Sequence, residues 1–288
     1  MKKIAVINDL SGFGKCSLTA AIPVISVMGV QACPLPTAIL SNQTGYTSYF
    51  CDDYTDKMSV IMDEWEKIKF QPDGIYSGFL ASDQQVDKVL EFIRRFADEK
   101  TMILVDPVMG DQGETYSIYT EKLGRRMREV AENAHILTPN LTEALILLED
   151  EKTMQKEWKR LHQLSEEEFL AEVVKIGKRL QERYPKAISV ITGIDCLRDE
   201  KLQMGNLICR SEGYTWVFAE KHGKSYSGTG DLFASILSAG MVKGWSVERC
   251  VKKAVDFLGK AILDAVTEGT DRNDGVCFEK YLFELTGE

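Results

Sequence analysis

The sequence has no apolar run of 18 or more residues, so we expect no transmembrane helix. Basic residues are in the minority, with 35 Lys and Arg against 44 Asp and Glu and a formal net charge of -9. This balance argues against a nucleic-acid-binding surface as the main function, although a small basic site is still allowed. There is no C-x-x-C motif, and the seven cysteines are scattered, which favours a reduced, cytoplasmic protein.

Zinc-ligand spacing is also absent, since none of the three histidines is suitably placed relative to a cysteine or another histidine. Internal repeats and low-complexity tracts are missing as well. The chain has 288 residues, of which 44% are hydrophobic and 27% charged, and this composition is typical of a globular protein. The length suits one large α/β domain, and we expect a single domain over residues 1–288. The short apolar run at residues 3–7 predicts a first strand rather than a signal peptide.

Short β-branched segments alternate with longer segments of helical periodicity. The predicted strands are 3–7, 32–39, 74–80, 101–108, 134–138 and 187–192, followed by a hairpin of 201–210 and 214–220. The predicted helices are 17–28, 54–68, 121–133, 141–148, 229–243 and 247–267, with one from Ser82 to Ala97 and one that opens at a Ser165–Glu168 capping box. This alternation predicts a three-layer α/β fold, a mostly parallel sheet with helices on both faces and an antiparallel edge hairpin. The charged segment 149–165 is interpreted as a surface insertion.

Ligands of open parallel sheets bind at the carboxyl ends of the strands, so the residues that follow each strand are the candidates for a site. Four such segments are unusually polar. They are 8–14 (NDLSGFG), 106–111 (DPVMGD), 138–143 (TPNLTE) and 225–231 (SYSGTGD).

The segment Gly228-Thr229-Gly230-Asp231 precedes an apolar helix. Two glycines let backbone N–H groups approach an anion, and the helix N-terminus adds its positive end. Asp231 is then placed to take the proton of an attacking hydroxyl. The alternative is a plain helix start, with Thr229 or Ser227 as N-cap and Asp231 as a first-turn acid, and the local pattern alone favours it.

Asp106 and Asp111 follow a wholly apolar strand, and Glu143 stands in the first turn of a predicted helix. Carboxylates at a strand end suit Mg²⁺, which is commonly held through waters and nucleotide phosphates. The alternatives are an exposed acidic turn for the two aspartates and a helix-dipole acid for Glu143.

Taken together, these motifs resemble the ribokinase-like superfamily and, within it, the pyridoxal/pyridoxamine kinases. Gly228–Asp231 resembles the catalytic signature of the superfamily, and DPVMGD at 106–111 with Thr138-Pro139-Asn140 and Glu143 resembles its vitamin-kinase branch. The segment 41–46 (SNQTGY) resembles the Ser-Asn-His-Thr-x-Tyr segment of pyridoxal kinases, and 76–80 (YSGFL) their Ser/Thr-Gly-Tyr strand end. The first strand leads directly into the helix at Ser17, which leaves no room for the lid strands of the sugar kinases.

The resemblance implies an ATP-dependent kinase that phosphorylates the 5′-hydroxymethyl group of pyridoxamine, pyridoxal or pyridoxine, with Mg²⁺, a monovalent cation (K⁺ or Na⁺) and a homodimer. Asp231 would be the base, and Gly228, Thr229 and Gly230 the anion hole. The implied ligand sets follow. Substrate would contact Asp9, Thr44, Phe79 and Asp231; ATP would contact Asn140, Thr192, Gly193, Ser227, Gly228 and Gly230; the alkali cation would lie near Asp106, Thr138 and Thr192, and Mg²⁺ near Asp111 and Glu143.

Two departures bear on the choice of substrate. Asp9 replaces a common Ser, which favours a cationic vitamer, and Gln43 replaces the usual His. The segment around Asp9 also resembles the hydroxymethylpyrimidine kinases of thiamine metabolism, which are the first alternative. The second alternative is a nucleotide- or vitamer-binding protein without catalytic activity, and the intact Asp231 speaks against it.

Overall fold

A computed structural model describes residues 1–198 and 200–286. The helices are α1 (Ser17–Val27), α2 (Thr55–Lys67), α3 (Asp83–Phe96), α4 (Glu121–Ala131), α5 (Leu141–Leu148), α6 (Glu151–Leu161), α7 (Glu166–Arg183), α8 (Thr229–Val242) and α9 (Val247–Glu268). The strands are β1 (Lys3–Ser11), β2 (Gln31–Leu40), β3 (Cys51–Asp53), β4 (Gly74–Ser77), β5 (Met102–Val105), β6 (Gly110–Asp111), β7 (Glu114–Thr115), β8 (Ile136–Leu137), β9 (Ile188–Arg198), β10 (Lys201–Arg210) and β11 (Gly213–Glu220). Two 3₁₀ helices follow, Arg272–Asp274 and Phe278–Leu285.

The chain divides into two units, Met1–Asp106 with His222–Glu288, and Pro107–Lys221. In the first unit β1 pairs in parallel with β2 and β4, β4 pairs in parallel with β5, and β3 runs antiparallel to the end of β2. The apolar segment Ile4–Ile7 of β1 is fully buried, because a strand with a parallel neighbour on each side and helices over it has no solvent-facing side. The predicted parallel strands of this unit are confirmed.

The helices of the first unit form two groups. α1 packs on β1, β2 and α8, and α8 packs on α9, while α2 packs on α3 and β2. Ser82 occupies the N-cap position of α3 as predicted, and its side chain makes no capping hydrogen bond there.

In the second unit β8 pairs in parallel with β9, and β9, β10 and β11 form an antiparallel arrangement. The predicted hairpin at Glu212-Gly213 is confirmed, since β10 pairs with β11 up to Arg210 and Gly213. β9 continues to Arg198, well beyond the predicted end at Thr192, because β10 pairs along this extension. The capping box of Ser165 and Glu168 is confirmed at the start of α7.

The segment 149–165 is more than the predicted surface insertion, because most of it forms α6. Met154 and Leu161 are buried, and Asp150 caps the helix. The Trp158 indole lies against Gly113, where a Cβ would come within 2.4 Å of the ring. Charged side chains on the outer face mask the helical period of the few buried positions, so the pattern was weak in the sequence.

No helix among the described residues is long and apolar enough to cross a membrane. The single domain expected over residues 1–288 stays a prediction.

Candidate active site

The start of α8 places Asp231 in the first unit. Gly228 occupies the N-cap position with φ 81, a left-handed conformation that favours glycine. A Cβ at Gly228 would lie 2.1 Å from the carbonyl oxygen of Lys15, so the position also needs a residue without a side chain. The Thr229 hydroxyl donates back to the Tyr226 carbonyl at 3.0 Å. The N-cap is therefore Gly228 and neither Thr229 nor Ser227, whereas Asp231 does lie in the first turn of α8.

The Asp231 carboxylate is held by two side chains from other strands. Asn8 Nδ2 donates to Asp231 Oδ1 at 3.0 Å, and the Tyr76 hydroxyl donates to the same oxygen at 3.3 Å. Burial raises the pKa of Asp231 to about 6, and the charge of Asp9 adds to this, while the Ser17 N–H, Asn8 and Tyr76 act to lower it. A carboxylate with a pKa near 6 is largely ionised at neutral pH and is still basic enough to accept a proton.

Asn8 connects the ends of β1 and β4 with the start of α8. Its Oδ1 accepts the backbone N–H of Phe79 at 2.9 Å and that of Asp9 at 3.0 Å. A Cβ at Gly78 would lie 2.5 Å from Asn8 Nδ2, so this glycine makes the close approach possible. Because its acceptor is used by two backbone donors, the Asn8 amide can only donate toward Asp231.

Asp9 lies beside Asp231 but is almost fully enclosed, with 4% of its surface exposed. Ser11 Oγ donates to Asp9 Oδ2 at 2.8 Å, and Ser17 Oγ donates to Oδ1 at 2.5 Å. Burial raises the pKa of Asp9, and the two serine hydroxyls oppose that shift. The site thus contains two neighbouring carboxylates, each with its own set of donors.

The segment 41–46 is tied to the 3₁₀ helix at Arg272–Asp274. Gln43 Oε1 accepts the Gly45 N–H at 2.6 Å, and Gln43 Nε2 donates to the Asn273 carbonyl at 3.3 Å. The Tyr46 hydroxyl donates to Asp274, and the Tyr46 ring lies 5.7 Å from that of Phe13. Gln43, which departs from the resembled motif, is therefore a structural link.

Three further candidate residues belong to the first unit. Thr44 is exposed next to Gln43, and Phe79 is half-buried at the end of β4. Asp106 is 7% exposed, and its Oδ2 lies 3.9 Å from where a Cβ of Gly230 would be. The structure thus brings Asp106 close to the glycine that precedes Asp231.

In the second unit, α5 begins with a capping box that the sequence analysis did not identify. Asn140 Oδ1 accepts the Glu143 N–H, and Glu143 Oε2 accepts the Asn140 N–H, both at 3.0 Å. Glu143 Oε1 also accepts the Met109 N–H at 3.1 Å, and Asn140 Nδ2 donates to the Gly110 carbonyl at 2.8 Å. Asn140 and Glu143 therefore hold the loop that carries Asp111.

Asp111 ends β6 in a two-residue hairpin with β7. The turn residues Gln112 and Gly113 both have positive φ, 52 and 78, which is the geometry of a type I′ turn. Thr142 accepts the Gly113 N–H at 2.9 Å, and Thr115 donates to Glu151 at 3.0 Å. The hairpin is thus fixed by α5 and α6.

Of the remaining candidates of this unit, Thr138 follows β8, whereas Thr192 and Gly193 lie within β9. Thr138 is buried after β8 and the Thr192 N–H donates to the Pro139 carbonyl at 2.9 Å. Gly193 has φ 69, is exposed and has no atom near a would-be Cβ, so its backbone is accessible. Among the residues that the structure describes, no group of three or more His, Cys, Asp and Glu side chains could hold a metal ion by itself.

Sequence reasoning missed four residues that touch the two carboxylates, namely Asn8, Ser11, Tyr76 and Ser17. Asn8 and Tyr76 lie in the segments 8–14 and 76–80. Their polarity in otherwise apolar strands was a signal in the sequence that could have identified them. Ser17 gave no such signal, because a serine at a helix start is ordinary.

The model of the phosphomethylpyrimidine kinase family matches residues 14–275. A structure from Bacteroides thetaiotaomicron, provisionally assigned as a phosphomethylpyrimidine kinase, is 33% identical with a TM-score of 0.88, over 100% of this chain and 94% of that one. Another crystal form of that protein, with pyridoxal, is 34% identical with a TM-score of 0.85, over 99% of this chain and 96% of that one.

Two further relatives are more distant. The Leishmania donovani pyridoxal kinase in complex with ADP and pyridoxine is 21% identical with a TM-score of 0.76, over 98% of this chain and 95% of that one. The pyridoxal kinase PdxY of Vibrio campbellii is 23% identical, over 89% of this chain and 85% of its own. The predicted ribokinase-like fold class is confirmed by these structures, and the chain belongs to the phosphomethylpyrimidine kinase family.

Proposed function

We propose that this protein is an ATP-dependent kinase that phosphorylates the 5′-hydroxymethyl group of pyridoxal, pyridoxamine or pyridoxine. The family match and the relatives named pyridoxal kinases support this activity, and one relative that is 34% identical has a crystal form with pyridoxal. The observation that carries the chemistry is the Asp231 carboxylate, which stands at the start of α8 and has its pKa raised to about 6.

In the proposed reaction the Asp231 carboxylate takes the proton of the hydroxymethyl group. The oxygen then forms a bond to the γ-phosphorus of ATP, and the bond from that phosphorus to the β,γ-bridging oxygen breaks, so that ADP leaves. Gly228 is the N-cap of α8, and Thr229 and Gly230 begin its first turn. The positive end of this helix stabilises the charge on the transferring group. Catalysis of this kind depends mainly on position and electrostatics.

The assignment of ligand contacts is also part of the proposal. In the first unit, Asp9, Thr44, Phe79 and Asp231 would contact the vitamer, and Ser227, Gly228 and Gly230 the phosphates. In the second unit, Asn140, Thr192 and Gly193 would contact ATP. The open backbone at Gly193 supports its role, because an exposed glycine lets a flat ring or ribose approach the main chain closely.

Magnesium fits the donor set as a partner of the nucleotide rather than as a resident ion. Both oxygens of Glu143 already accept backbone N–H groups, and the described residues contain no cluster of three ligating side chains. Mg²⁺ typically keeps several waters and takes one or two carboxylates plus phosphates. Asp111 and Glu143 would hold Mg²⁺ in this way. The metal would supply charge neutralisation on the phosphates.

The test is ATP consumption by the purified protein with pyridoxal, pyridoxamine, pyridoxine and hydroxymethylpyrimidine in parallel assays. We expect turnover of at least one B6 vitamer and its collapse in Asp231→Asn. Asp256→Asn, on the exposed face of α9, is the matched control and should keep full activity. Turnover of the pyrimidine alone would replace the vitamer assignment with a role in thiamine metabolism, which the description of the matching family favours. Absence of turnover on all four would favour a binding protein.

A cytoplasmic location and a homodimer complete the proposal. All seven cysteines are free, which supports a reducing compartment. The homodimer rests on the family resemblance, and light scattering on the purified protein would test it.

A further inference from the structure

The beginning of α1 lacks the usual features of a helix N-terminus. Cys16 occupies the N-cap position and makes no side-chain capping bond, and the first turn contains no acidic residue. Ser17, the first helical residue, has φ 52, a left-handed conformation that is uncommon outside glycine. A strained, uncapped helix start persists only where tertiary contacts compensate for it.

Two carboxylates from outside the helix supply that compensation. Ser17 Oγ donates to Asp9 Oδ1 at 2.5 Å, and Ser17 is itself only 6% exposed. The Ser17 backbone N–H hydrogen-bonds to Asp231 and opposes the rise in the pKa of that carboxyl. One residue therefore reaches both anions, with its side chain toward one and its backbone toward the other, and the positive end of α1 is directed at the pair.

The neighbouring lysine of the chain is paired with a carboxylate other than Asp231. Lys15 lies two residues before Ser17 in the chain, but its Nζ pairs with Glu279 Oε2 at 2.9 Å. The charged and titratable groups that act on Asp231 or on its partner Tyr76 most strongly, among the described residues, are acidic. They are Asp9, the Cys16 thiol, the Tyr76 phenol and Asp106.

We propose that Ser17 is a positioning residue for the transfer step, whose left-handed backbone and hydroxyl together hold Asp231 and Asp9 in place and use the α1 N-terminus as their counter-charge. This inference rests on the proposed function, in which Asp231 is the base. Ser17 does not touch the reacting atoms in this assignment and acts only through the two carboxylates.

Two substitutions separate the two contacts. Ser17→Thr keeps a hydroxyl but disfavours a left-handed backbone, because the β-branched side chain crowds it. Ser17→Gly keeps that backbone but removes the hydroxyl. Lys69→Thr is the matched control, since Lys69 has φ 53 and is exposed just after α2, away from both carboxylates.

The measurement is a ¹³C titration of the aspartate carboxyl carbons, with Asp231→Asn and Asp9→Asn to assign the signals, together with the pH profile of kcat/KM. In Ser17→Thr we expect the Asp231 titration and the acidic limb of kcat/KM to move up by about one pH unit, because a donor to the charged form is displaced. In Ser17→Gly we expect the Asp9 titration to rise by about one unit while Asp231 does not move upward. Lys69→Thr should change neither.

The inference is overturned if both Ser17 variants leave the two titrations unchanged. A lower thermal midpoint of unfolding in these variants does not count in its favour, because we expect Lys69→Thr to lower the midpoint as well. If Ser17→Thr does not fold, the Asp9 titration in Ser17→Gly decides alone, and an unchanged value rejects the proposal. The carboxyl titration needs no turnover. Shifted titrations in a protein that phosphorylates none of the vitamers would therefore reject the proposed function and keep the positioning role of Ser17.

Discussion

The carboxylates of the two units are held in different ways. Asp231 in the first unit is bound by side chains from distant parts of the chain, Asn8 and Tyr76, and its pKa is raised. Glu143 in the second unit is bound by backbone N–H groups, one of them three residues away in its own capping box. Both residues lie in the first turn of a helix, α8 and α5.

This difference separates a reactive carboxylate from an architectural one. Backbone donors stabilise the charged form of a carboxylate and use its lone pairs for structure. At Asp231 burial outweighs the donors and raises the pKa, which leaves a basic group that can accept a proton. The helix position alone did not distinguish the two roles, whereas the partners do.

The largest expected effect is on the reactive side of this comparison. Asp231→Asn should lower kcat by about 10²–10⁴-fold, the usual range for the loss of a general base, with little change in the KM for ATP. Steady-state kinetics with the best vitamer would measure this split. An unchanged kcat would remove Asp231 from the role of base and with it the contrast to Glu143.

Substitutions of the two glycines before Asp231 test the surroundings of the reactive carboxylate. Gly228→Ala should destabilise the protein by about 2–4 kcal/mol, because its φ is positive and a Cβ would collide with Lys15. Gly230→Ala should fold normally, since its would-be Cβ has nothing closer than Asp106 at 3.9 Å. Its kcat should nevertheless fall, because the methyl group occupies space proposed for the phosphoryl group. Urea unfolding and kinetics on both variants provide the check, and equal stability losses would contradict it.

On the architectural side, Glu143→Gln should cost about 1–3 kcal/mol of stability, because the amide group cannot accept both backbone N–H groups. We expect kcat at saturating Mg²⁺ and ATP to stay within about tenfold of the wild type, because Glu143 does not take the proton of the substrate in the proposed reaction. Urea unfolding and a Mg²⁺ titration of activity are the measurements. A collapse of kcat without loss of stability would reverse the assignment and make Glu143 the reactive group.

Stability should depend on pH through the buried carboxyl of Asp231. The folded-state pKa of Asp231 is raised from 3.8 to about 6, so the folded protein binds the proton more tightly, and stability is gained as the pH falls through 6. Asp231→Asn should therefore be more stable than the wild type by about 1–3 kcal/mol at pH 7.5, with the gap closing by about pH 4. Urea unfolding of the wild type and Asp231→Asn at several pH values is the measurement. A difference in the free energy of unfolding that does not change with pH would contradict the raised pKa.

The smallest expected effect concerns selectivity. Asp9→Ser removes one buried charge from the carboxylate pair, so we expect the ratio of kcat/KM for pyridoxamine to that for pyridoxal to fall by about threefold to tenfold. Ser11→Ala is a milder variant that keeps the charge and should change the ratio less. Identical ratios in the wild type and Asp9→Ser would exclude Asp9 from selectivity.

Much of the fold was predictable because it depends on local patterns. The hairpin at Glu212-Gly213, the Ser165–Glu168 capping box and the range of α5 all follow from residues close together in the sequence. α6 was missed as a helix, because its buried positions are few and its packing partner, Gly113, is distant in the chain. Neighbouring residues specify a local element, but they cannot report a contact made across many residues.

By itself the sequence determined the alternating α/β order, the polar strand ends and the Gly228–Asp231 signature at a helix start. The tertiary structure decided that Gly228 rather than Thr229 or Ser227 occupies the N-cap, that Asn8 and Tyr76 hold Asp231, and that Ser17 reaches both carboxylates. The physical reason is that the ionisation of a carboxylate depends on its burial and its donors. Those donors come from β1, β4 and α1, which only the folded chain brings together.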